Sequence, residues 1–389
     1  MDSSSRPAQP RIGLVMSGGG ARAAYQVGVL RAIAEMLPAN SPSPFQIICG
    51  TSAGAINATV LAANAANFRH GVRLLMTVWK NFHVHHVYRS DLFGTFRNSA
   101  AWVMALLTGG IGRKTPVSLL DNSPLARLLR THLDFGAVQR SIDRGDLYAF
   151  SITCSGYTSG QSVTFYQGVP GLEPWRRARR IGVSMPIGVE HLLASSALPF
   201  VFPPVRINRE YFGDGSMRQI APVSPALHFG ADRLFVIGVG RQLQQQQERF
   251  RSEVFPSLAQ IAGHCLNSIF LDSLEVDLER LQRINRTLGV IPSELRKASN
   301  MSLYQVDFRV LSPSVALEQI AIEYIHTLPL TIRCLLFTVG ALKKSGANLV
   351  SYLLFEKEYC RALIKLGYND TMKQRDELMQ FLGHDACWL

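Results

Sequence analysis

Short apolar runs alternate with amphipathic stretches in the first part of the chain. Residues 11–16 (RIGLVM) and 45–49 (FQIIC) predict buried strands, and glycines follow each of them. Apolar positions at helical spacing then predict helices over 21–37 and 53–66. A further run at 234–239 (LFVIGV) predicts the last buried strand. Because these strands alternate with helices across tight turns, we expect an α/β fold with a mostly parallel sheet between helices.

The pattern changes after residue 240. Residues 242–248 (QLQQQQE) are polar and of low complexity, which predicts either a linker or the solvated end of a helix. Beyond them, residues 256–288 and 314–382 have helical spacing, and residues 303–311 predict an extended segment. We therefore predict an α/β domain over 11–240 and a mostly helical C-terminal extension over 241–389.

Composition narrows the setting in which the protein works. The amino terminus carries no apolar signal segment, and the longest uncharged apolar runs are too short to cross a bilayer. The six cysteines are scattered without a CxxC pair, which favours free thiols in a reducing compartment over disulfides or zinc. We therefore expect a cytoplasmic protein that is either soluble or peripherally bound to a membrane.

The net charge of +12 is concentrated in residues 1–240, which hold 23 Lys and Arg against 12 Asp and Glu. Such an excess favours an anionic partner, and no nucleic-acid-binding motif accompanies it. Basic and aromatic residues are interleaved over 67–114, and a second basic cluster consists of Arg176, Arg177, Arg179 and Arg180. The pattern predicts either an interfacial surface for lipids or a solvated face over an aromatic core.

The segment 50–54 (GTSAG) lies where the second predicted strand meets the second predicted helix. A serine on such a turn, with a glycine two positions away on each side, is the arrangement of a nucleophile elbow. The start of the following helix adds partial positive charge near the reacting oxygen. Ser52 is therefore a candidate nucleophile. Gly50 and Gly54, which have no side chain, would let neighbouring backbone pass close to the turn. The alternative is a serine that merely caps the helix.

A glycine run, Gly18-Gly19-Gly20, lies between the first strand and its helix. Backbone N–H groups that converge in such a loop are able to form an oxyanion hole. The alternative is a dinucleotide-binding loop, because Gly18, Gly20 and Ala23 fit the pattern G-x-G-x-x-G/A. That function also needs an acidic residue after the second strand, and none occurs between residues 36 and 79.

A nucleophilic serine needs a base, and the ten histidines show no relay pattern. His191 and His228 lie in helix-like runs, and the spacing of His83, His85 and His86 is not that of a metal site. We therefore expect no metal. Asp214, between Gly213 and Gly215 after an extended segment, is the candidate base. Its alternative role is that of an ordinary turn aspartate.

Taken together and in this order, the motifs resemble the patatin-like phospholipase family. The resemblance is carried by residues 18–23 (GGGARA), 50–54 (GTSAG), 194–205 (ASSALPFVFPPV) and 214–216 (DGS), and it extends over residues 11–240. Two positions depart from the family pattern, since Ala23 replaces the last glycine of the loop and Ser216 follows Asp214-Gly215. Both residues are small, so we expect them to tune the site and not to remove it.

The resemblance implies a three-layer α/β/α fold and a catalytic dyad of Ser52 and Asp214. It also implies oxyanion donors from Gly18, Gly19 and Gly20, with Arg22 either contacting a substrate phosphate or supporting the loop. The alternative for Arg22 is a plain helix salt bridge. No cofactor is implied.

The resulting hypothesis is a lipid acyl hydrolase of the phospholipase or lysophospholipase type that acts on carboxylic esters. Its partner would be an anionic lipid surface and not nucleic acid, and the sequence leaves the oligomeric state open. The alternatives are a catalytically silent lipid-binding or regulatory protein on the same scaffold and a dinucleotide-binding protein.

Overall fold

A computed structural model describes residues 10–89, 118–241, 255–292, 295–296, 303–343 and 346–383. Residues 242–248, and much of the basic and aromatic stretch at 67–114, lie outside these ranges. In the described part, ten strands form one sheet: β1 Ile12–Met16, β2 Ile47–Thr51, β3 Ala149–Gly156, β4 Ser162–Gly168, β5 Trp175–Arg177, β6 Arg180–Ser184, β7 Val205–Ile207, β8 Glu210–Asp214, β9 Arg233–Ile237 and β10 Asp307–Leu311.

The order of strands across the sheet is β10-β9-β1-β2-β3-β4-β6-β5. The neighbours from β10 to β3 are all parallel, and β4 turns back antiparallel to β3. Strand β8 pairs antiparallel with the last residues of β3, and β7 pairs with β8. The predicted α/β class with a mostly parallel sheet is confirmed.

Helices cover the sheet and form most of the C-terminal region. They are α1 Ala24–Met36, α2 Ala53–Ala63, α3 Phe68–Lys80, α4 Val84–Val87, α5 Ser123–His132, α6 Gly136–Asp143, α7 Val189–Ser195, α8 Ser224–His228, α9 Leu258–Asn267, α10 Ser273–Val290, α11 Leu317–Tyr324, α12 Leu330–Thr338, α13 Ala347–Leu353, α14 Lys357–Met372 and α15 Arg375–Phe381. The short segment Ser268–Asp272 between α9 and α10 is a π-helix. Among the described helices, none combines the length and apolar character needed to cross a bilayer.

The centre of the sheet is buried on both faces, which explains why its strands are continuous apolar runs in the sequence. All five residues of β1 and all five of β2 are buried. Strand β2 runs two residues further than predicted, to Thr51, so that Ser52 follows the strand directly. The first helix also differs from the prediction, because Gly20–Ala23 form a 3₁₀ turn before α1 begins at Ala24.

The buried strand predicted at 234–239 is present as β9, but it is not the last strand of the sheet. The extended segment after residue 303 contains β10, which pairs parallel with β9 from Asp307 opposite Arg233 to Leu311 opposite Ile237. Helix α14 also packs on α1, where a Cβ added to Gly28 would overlap the carbonyl oxygen of Ile364. The helical C-terminal region thus contributes both an edge strand and a covering helix to the α/β layers.

Candidate active site

Ser52 occupies a sharp turn between β2 and α2. Its backbone has φ 54° and ψ −130°, a region that residues with a side chain rarely adopt. The turn also brings the start of α2 against the loop after β1. A Cβ added to Gly54 would lie 2.5 and 2.6 Å from the carbonyl oxygens of Met16 and Ser17. At Gly50 it would lie 2.7 Å from the carbonyl oxygen of Gly54, so both glycines are required by close backbone approach.

Asp214 is the last residue of β8 and is 1% exposed. Asp214 pairs with Cys154 of β3. This pairing places Asp214 at the same end of the sheet as Ser52, which follows β2. The Ser52 hydroxyl donates a hydrogen bond to Asp214 Oδ2 at 2.6 Å, although the two residues are 162 positions apart. The Ser216 backbone N–H donates to the other carboxylate oxygen, Oδ1, at 3.0 Å. An added Cβ on Gly215 would overlap the carbonyl oxygen of Thr153.

Burial raises the pKa of Asp214 to about 6, and hydrogen bonds from Ser52 and Ser216 oppose that rise. Desolvation is the larger effect because a charged carboxylate loses more hydration than these donors return. The carboxylate is therefore mostly ionised at neutral pH, yet it is more basic than an exposed aspartate. These are the properties that a general base needs near neutral pH.

Ser195 and Gln219 form hydrogen bonds with the serine turn, and neither role was predicted from the sequence. Ser195, at the end of α7, accepts a hydrogen bond from the Ser52 N–H at 2.8 Å and donates one to the Thr153 carbonyl at 2.7 Å. The hydroxyl of Thr51 donates to Gln219 Oε1 at 2.8 Å. Ser195 lies within the block 194–205 that carried the family resemblance, but its partners are not close in sequence.

The glycine run lies directly beside Ser52. A Cβ added to Gly18 would lie 2.8 Å from the Ser52 Cβ and 2.6 Å from the Ser216 hydroxyl oxygen. Within the described residues, the N–H groups of Gly18, Gly19 and Gly20 donate no hydrogen bond. The same holds there for the N–H of Ala53 at the start of α2. Unused N–H donors next to a serine hydroxyl are the components of an oxyanion hole.

Arg22 is buried and contacts the C-terminal region. Its guanidinium donates to Ser351 Oγ at 2.9 Å and to Asn348 Oδ1 at 3.0 Å, and it lies 4.1 Å from the centre of the Tyr352 ring. Glu318 forms an ion pair with it at 3.5 Å. These contacts favour support of the loop over contact with a substrate phosphate, because the side chain is only 2% exposed.

A cavity of about 450 Å³ includes Ser52 and Asp214 in its lining and is otherwise largely apolar. One wall is a stripe along α2 at helical spacing: Ala53, Ile56, Val60 and Ala63. Helices α3 and α5 add further apolar side chains, and the C-terminal region adds Phe270, Tyr352, Leu353 and Phe355. Ala53 and Ala63 are ten positions apart, so the cavity follows α2 for about 15 Å.

No histidine of the described ranges hydrogen-bonds Ser52 or Asp214. His191 Nδ1 accepts from the Gly188 N–H at 3.0 Å, and burial lowers the pKa of its ring. His83 Nδ1 lies 2.8 Å from Glu356 Oε2. Across the described part of the chain, no cluster of three or more His, Cys, Asp or Glu residues is arranged to hold a metal ion.

Comparisons with solved structures gave distant matches. Human GIVD cytosolic phospholipase A2 in complex with methyl gamma-linolenyl fluorophosphonate is 14% identical with a TM-score of 0.42, and 97% of this chain covers 60% of that one. A second structure, of human GIVD cytosolic phospholipase A2, is 11% identical with a TM-score of 0.45, and 96% of this chain covers 60% of that one. VipD from Legionella pneumophila gives 13%, 0.36, 97% and 67% for the same four values. The chain thus spans 60% of the length of the human structures.

The comparison with curated proteins gave no match. The family model described as patatin-like phospholipase matches residues 14–227, which is more than half of the chain. The matched region runs from β1 to α8 and contains the glycine run, the serine turn and Asp214. This chain therefore belongs to the patatin-like phospholipase family.

Proposed function

We propose that the protein is a lipid acyl hydrolase that cleaves carboxylic esters of phospholipids or lysophospholipids, with Ser52 as nucleophile and Asp214 as general base. The proposal depends most on one observation, the 2.6 Å hydrogen bond between these two buried side chains. Both side chains also line an apolar cavity. A serine that only capped α2 would direct its hydroxyl to the helix backbone, and the Ser52 side chain makes no such bond to its own helix.

In the first step the Ser52 oxygen attacks the ester carbonyl, and its proton passes to Asp214 Oδ2 along the existing hydrogen bond. The carbonyl oxygen becomes negative in the tetrahedral intermediate. The N–H groups of Gly18, Gly19 and Gly20 would stabilise that charge, and a single such donor contributes about 3 kcal/mol. When the intermediate collapses, the alcohol leaves with the proton from Asp214 and the acyl group remains on Ser52.

In the second step a water molecule attacks the acyl-enzyme. Asp214 takes a proton from the water and returns it to the Ser52 oxygen as the fatty acid leaves, so the enzyme is restored. The buried, partly desolvated carboxylate suits both steps because its pKa of about 6 lies close to neutral pH. Neither step requires a histidine.

The shape of the cavity supports an acyl chain as the bound group. Its walls are aliphatic and aromatic along the stripe of α2, and this length of about 15 Å matches an extended hydrocarbon chain better than a compact polar substrate. We propose that residues 11–240 carry the chemistry and that the helical extension over 241–389 closes part of the cavity through Phe270 and Tyr352.

The alternative functions have less support. A silent lipid-binding scaffold would have no need of the Ser52–Asp214 pair, which is intact and hydrogen-bonded. A dinucleotide-binding loop would be followed by an acidic residue after β2, whereas β2 ends at Thr51 and Ser52 follows it directly.

The proposal is tested by covalent labelling with a fluorophosphonate probe. Native protein is expected to be labelled at Ser52, and the Ser52→Ala variant is expected to lose the label, because only an activated serine reacts. Ser141→Ala is a matched control, since Ser141 is another fully buried serine and lies in α6. Labelling that persists in Ser52→Ala, or that is absent from the native protein, would contradict the proposal.

A pH profile on a soluble ester gives a second prediction. We expect kcat/KM to be constant above pH 7 and to fall with an acid limb near pH 6, about tenfold per pH unit below it, because only ionised Asp214 accepts the proton. Ser216→Ala keeps the backbone N–H but removes the side-chain hydroxyl, whose hydrogen bond also lowers the pKa of Asp214, so the acid limb of this variant is expected at higher pH. An acid limb near pH 4, or one that Ser216→Ala leaves in place, would contradict the assignment.

A further inference from the structure

Three hairpin tips lie side by side at one end of the sheet. Strand β3 is parallel to β2, so its last residue, Gly156, lies at the same end as Ser52. The tip between β3 and β4 has two neighbours: Gly156 pairs with Phe212 of β8, and Ser162 pairs with Arg180 of β6. The tips of the β7–β8 and β5–β6 hairpins therefore flank it. Together these six strands are about 24 Å wide.

Exposed arginines occupy these tips. We call the set the arginine face: Arg176, Arg177 and Arg179 on β5–β6, Arg206 and Arg209 on β7–β8, and Arg218, which lies beside the β3–β4 tip at Gly160. Within the described part of the chain, none of the six forms an ion pair with an acidic side chain. The one acid on the three tips is Glu210, whose carboxylate accepts the Ser159 N–H at 2.6 Å.

Two exposed tyrosines accompany the arginines. Tyr157 and Tyr211 are 47% and 40% exposed, and the Tyr157 N–H donates to the Tyr211 carbonyl across the two tips. The Tyr157 hydroxyl oxygen lies 2.5 Å from where a Cβ on Gly213 would be, next to Asp214. Arg209 and Asp214 are on the same hairpin, about 16 Å apart along the strand. One strand, β8, thus connects the arginine face with Asp214.

We propose that the arginine face docks the protein on an anionic lipid surface. This inference rests on the proposed function and names the partner of the active site. Six uncompensated arginines match a layer of phosphate groups, because the guanidinium donates to phosphate oxygens in pairs. Tyrosines with an apolar ring and a polar hydroxyl are suited to the boundary between headgroups and acyl chains. Nucleic acid would match the charge, but it gives no role to an apolar cavity whose lining includes Asp214 of the β7–β8 hairpin.

The test measures vesicle binding in the full chain with Ser52→Ala, so that the lipid is not consumed. Vesicles of phosphatidylcholine with phosphatidylserine are compared with vesicles of phosphatidylcholine alone by flotation. We expect binding to the anionic vesicles only, and we expect added Arg176→Gln, Arg177→Gln and Arg179→Gln to weaken it roughly 100-fold. Salt is expected to weaken the parent more than this triple variant, because fewer charges remain to be screened.

A matched control removes three exposed arginines from α10: Arg280→Gln, Arg283→Gln and Arg286→Gln. This variant has the same net charge as the first, and it is expected to bind like the parent. Equal loss in both triple variants, no loss in the first, or binding of duplex DNA without binding of vesicles would each overturn the proposal. Because hydrolysis plays no part in this measurement, failure of the proposed activity would appear only in the labelling experiment.

Discussion

Asp214→Asn is expected to lower ester turnover about 10⁴-fold while the protein remains folded. The asparagine side chain keeps the size of the carboxylate, and its one oxygen can still accept the Ser216 N–H while its amide nitrogen faces the Ser52 oxygen. It cannot take a proton, so Ser52 loses its activation and the acyl-enzyme loses the base that activates water. Steady-state kcat/KM on a soluble ester measures the loss.

Asp277→Asn is the matched control for this substitution. Asp277 is also buried, its carboxylate accepts the Val223 N–H at 3.0 Å, and burial raises its pKa as well. It does not line the cavity, so its replacement is expected to leave turnover close to that of the native protein. Retention of turnover in Asp214→Asn, or its loss in a single histidine variant, would assign the base to another residue.

Asp214→Asn is also expected to change how the free energy of unfolding depends on pH. The pKa of Asp214 is about 6 in the fold and close to 3.8 in the unfolded chain. Between these values the folded state holds a proton that the unfolded state has lost, so the free energy of unfolding falls as pH rises. The native protein is expected to lose about 2 kcal/mol relative to Asp214→Asn between pH 4 and pH 7. Urea unfolding at both pH values measures the difference.

Gly54→Ala is expected to lower the free energy of unfolding by about 3 kcal/mol or more and to abolish turnover. The added methyl group would meet two backbone carbonyl oxygens, those of Met16 and Ser17, at 2.5 and 2.6 Å. Backbone of the central strand cannot rotate away as a flexible side chain would. The start of α2 must therefore shift, and Ser52 shifts with it. Urea unfolding and fluorophosphonate labelling report the two effects separately.

Gly289→Ala is the control for a glycine in a helix. Gly289 lies near the end of α10, where an added Cβ would approach only Gln305, at 3.4 Å. This variant is expected to be as stable as the native protein or slightly more stable, because alanine favours helix. A Gly54→Ala protein with native stability and native labelling would show that the turn has more room than its geometry implies.

Local sequence determined the turns and the elements next to them. Apolar runs followed by glycine predicted β1, β2 and the helix after each, and the structure differs there only by a few residues. The serine turn was predictable for the same reason. Its requirement, a small residue on each side of Ser52, is met by neighbours in the chain.

Residues far apart in the chain decided the rest. The edge strand β10 is a short segment with exposed and half-exposed positions, so its pattern did not distinguish a strand of the central sheet from an isolated extended segment. The partners of Arg22 lie some 300 residues away, at Glu318, Asn348 and Ser351. Ser195 likewise supports Ser52 only because α7 packs against the sheet.

By itself, the sequence determined a serine on a strand-to-helix turn, a glycine run and an aspartate between glycines, and their order resembled one family. Only the tertiary structure decided that Ser52 and Asp214 lie 2.6 Å apart, that the carboxylate is buried, and that an apolar cavity follows α2. The physical reason is that desolvation and cavity shape depend on everything packed around a group. A turn, by contrast, depends on the conformations open to a few consecutive residues.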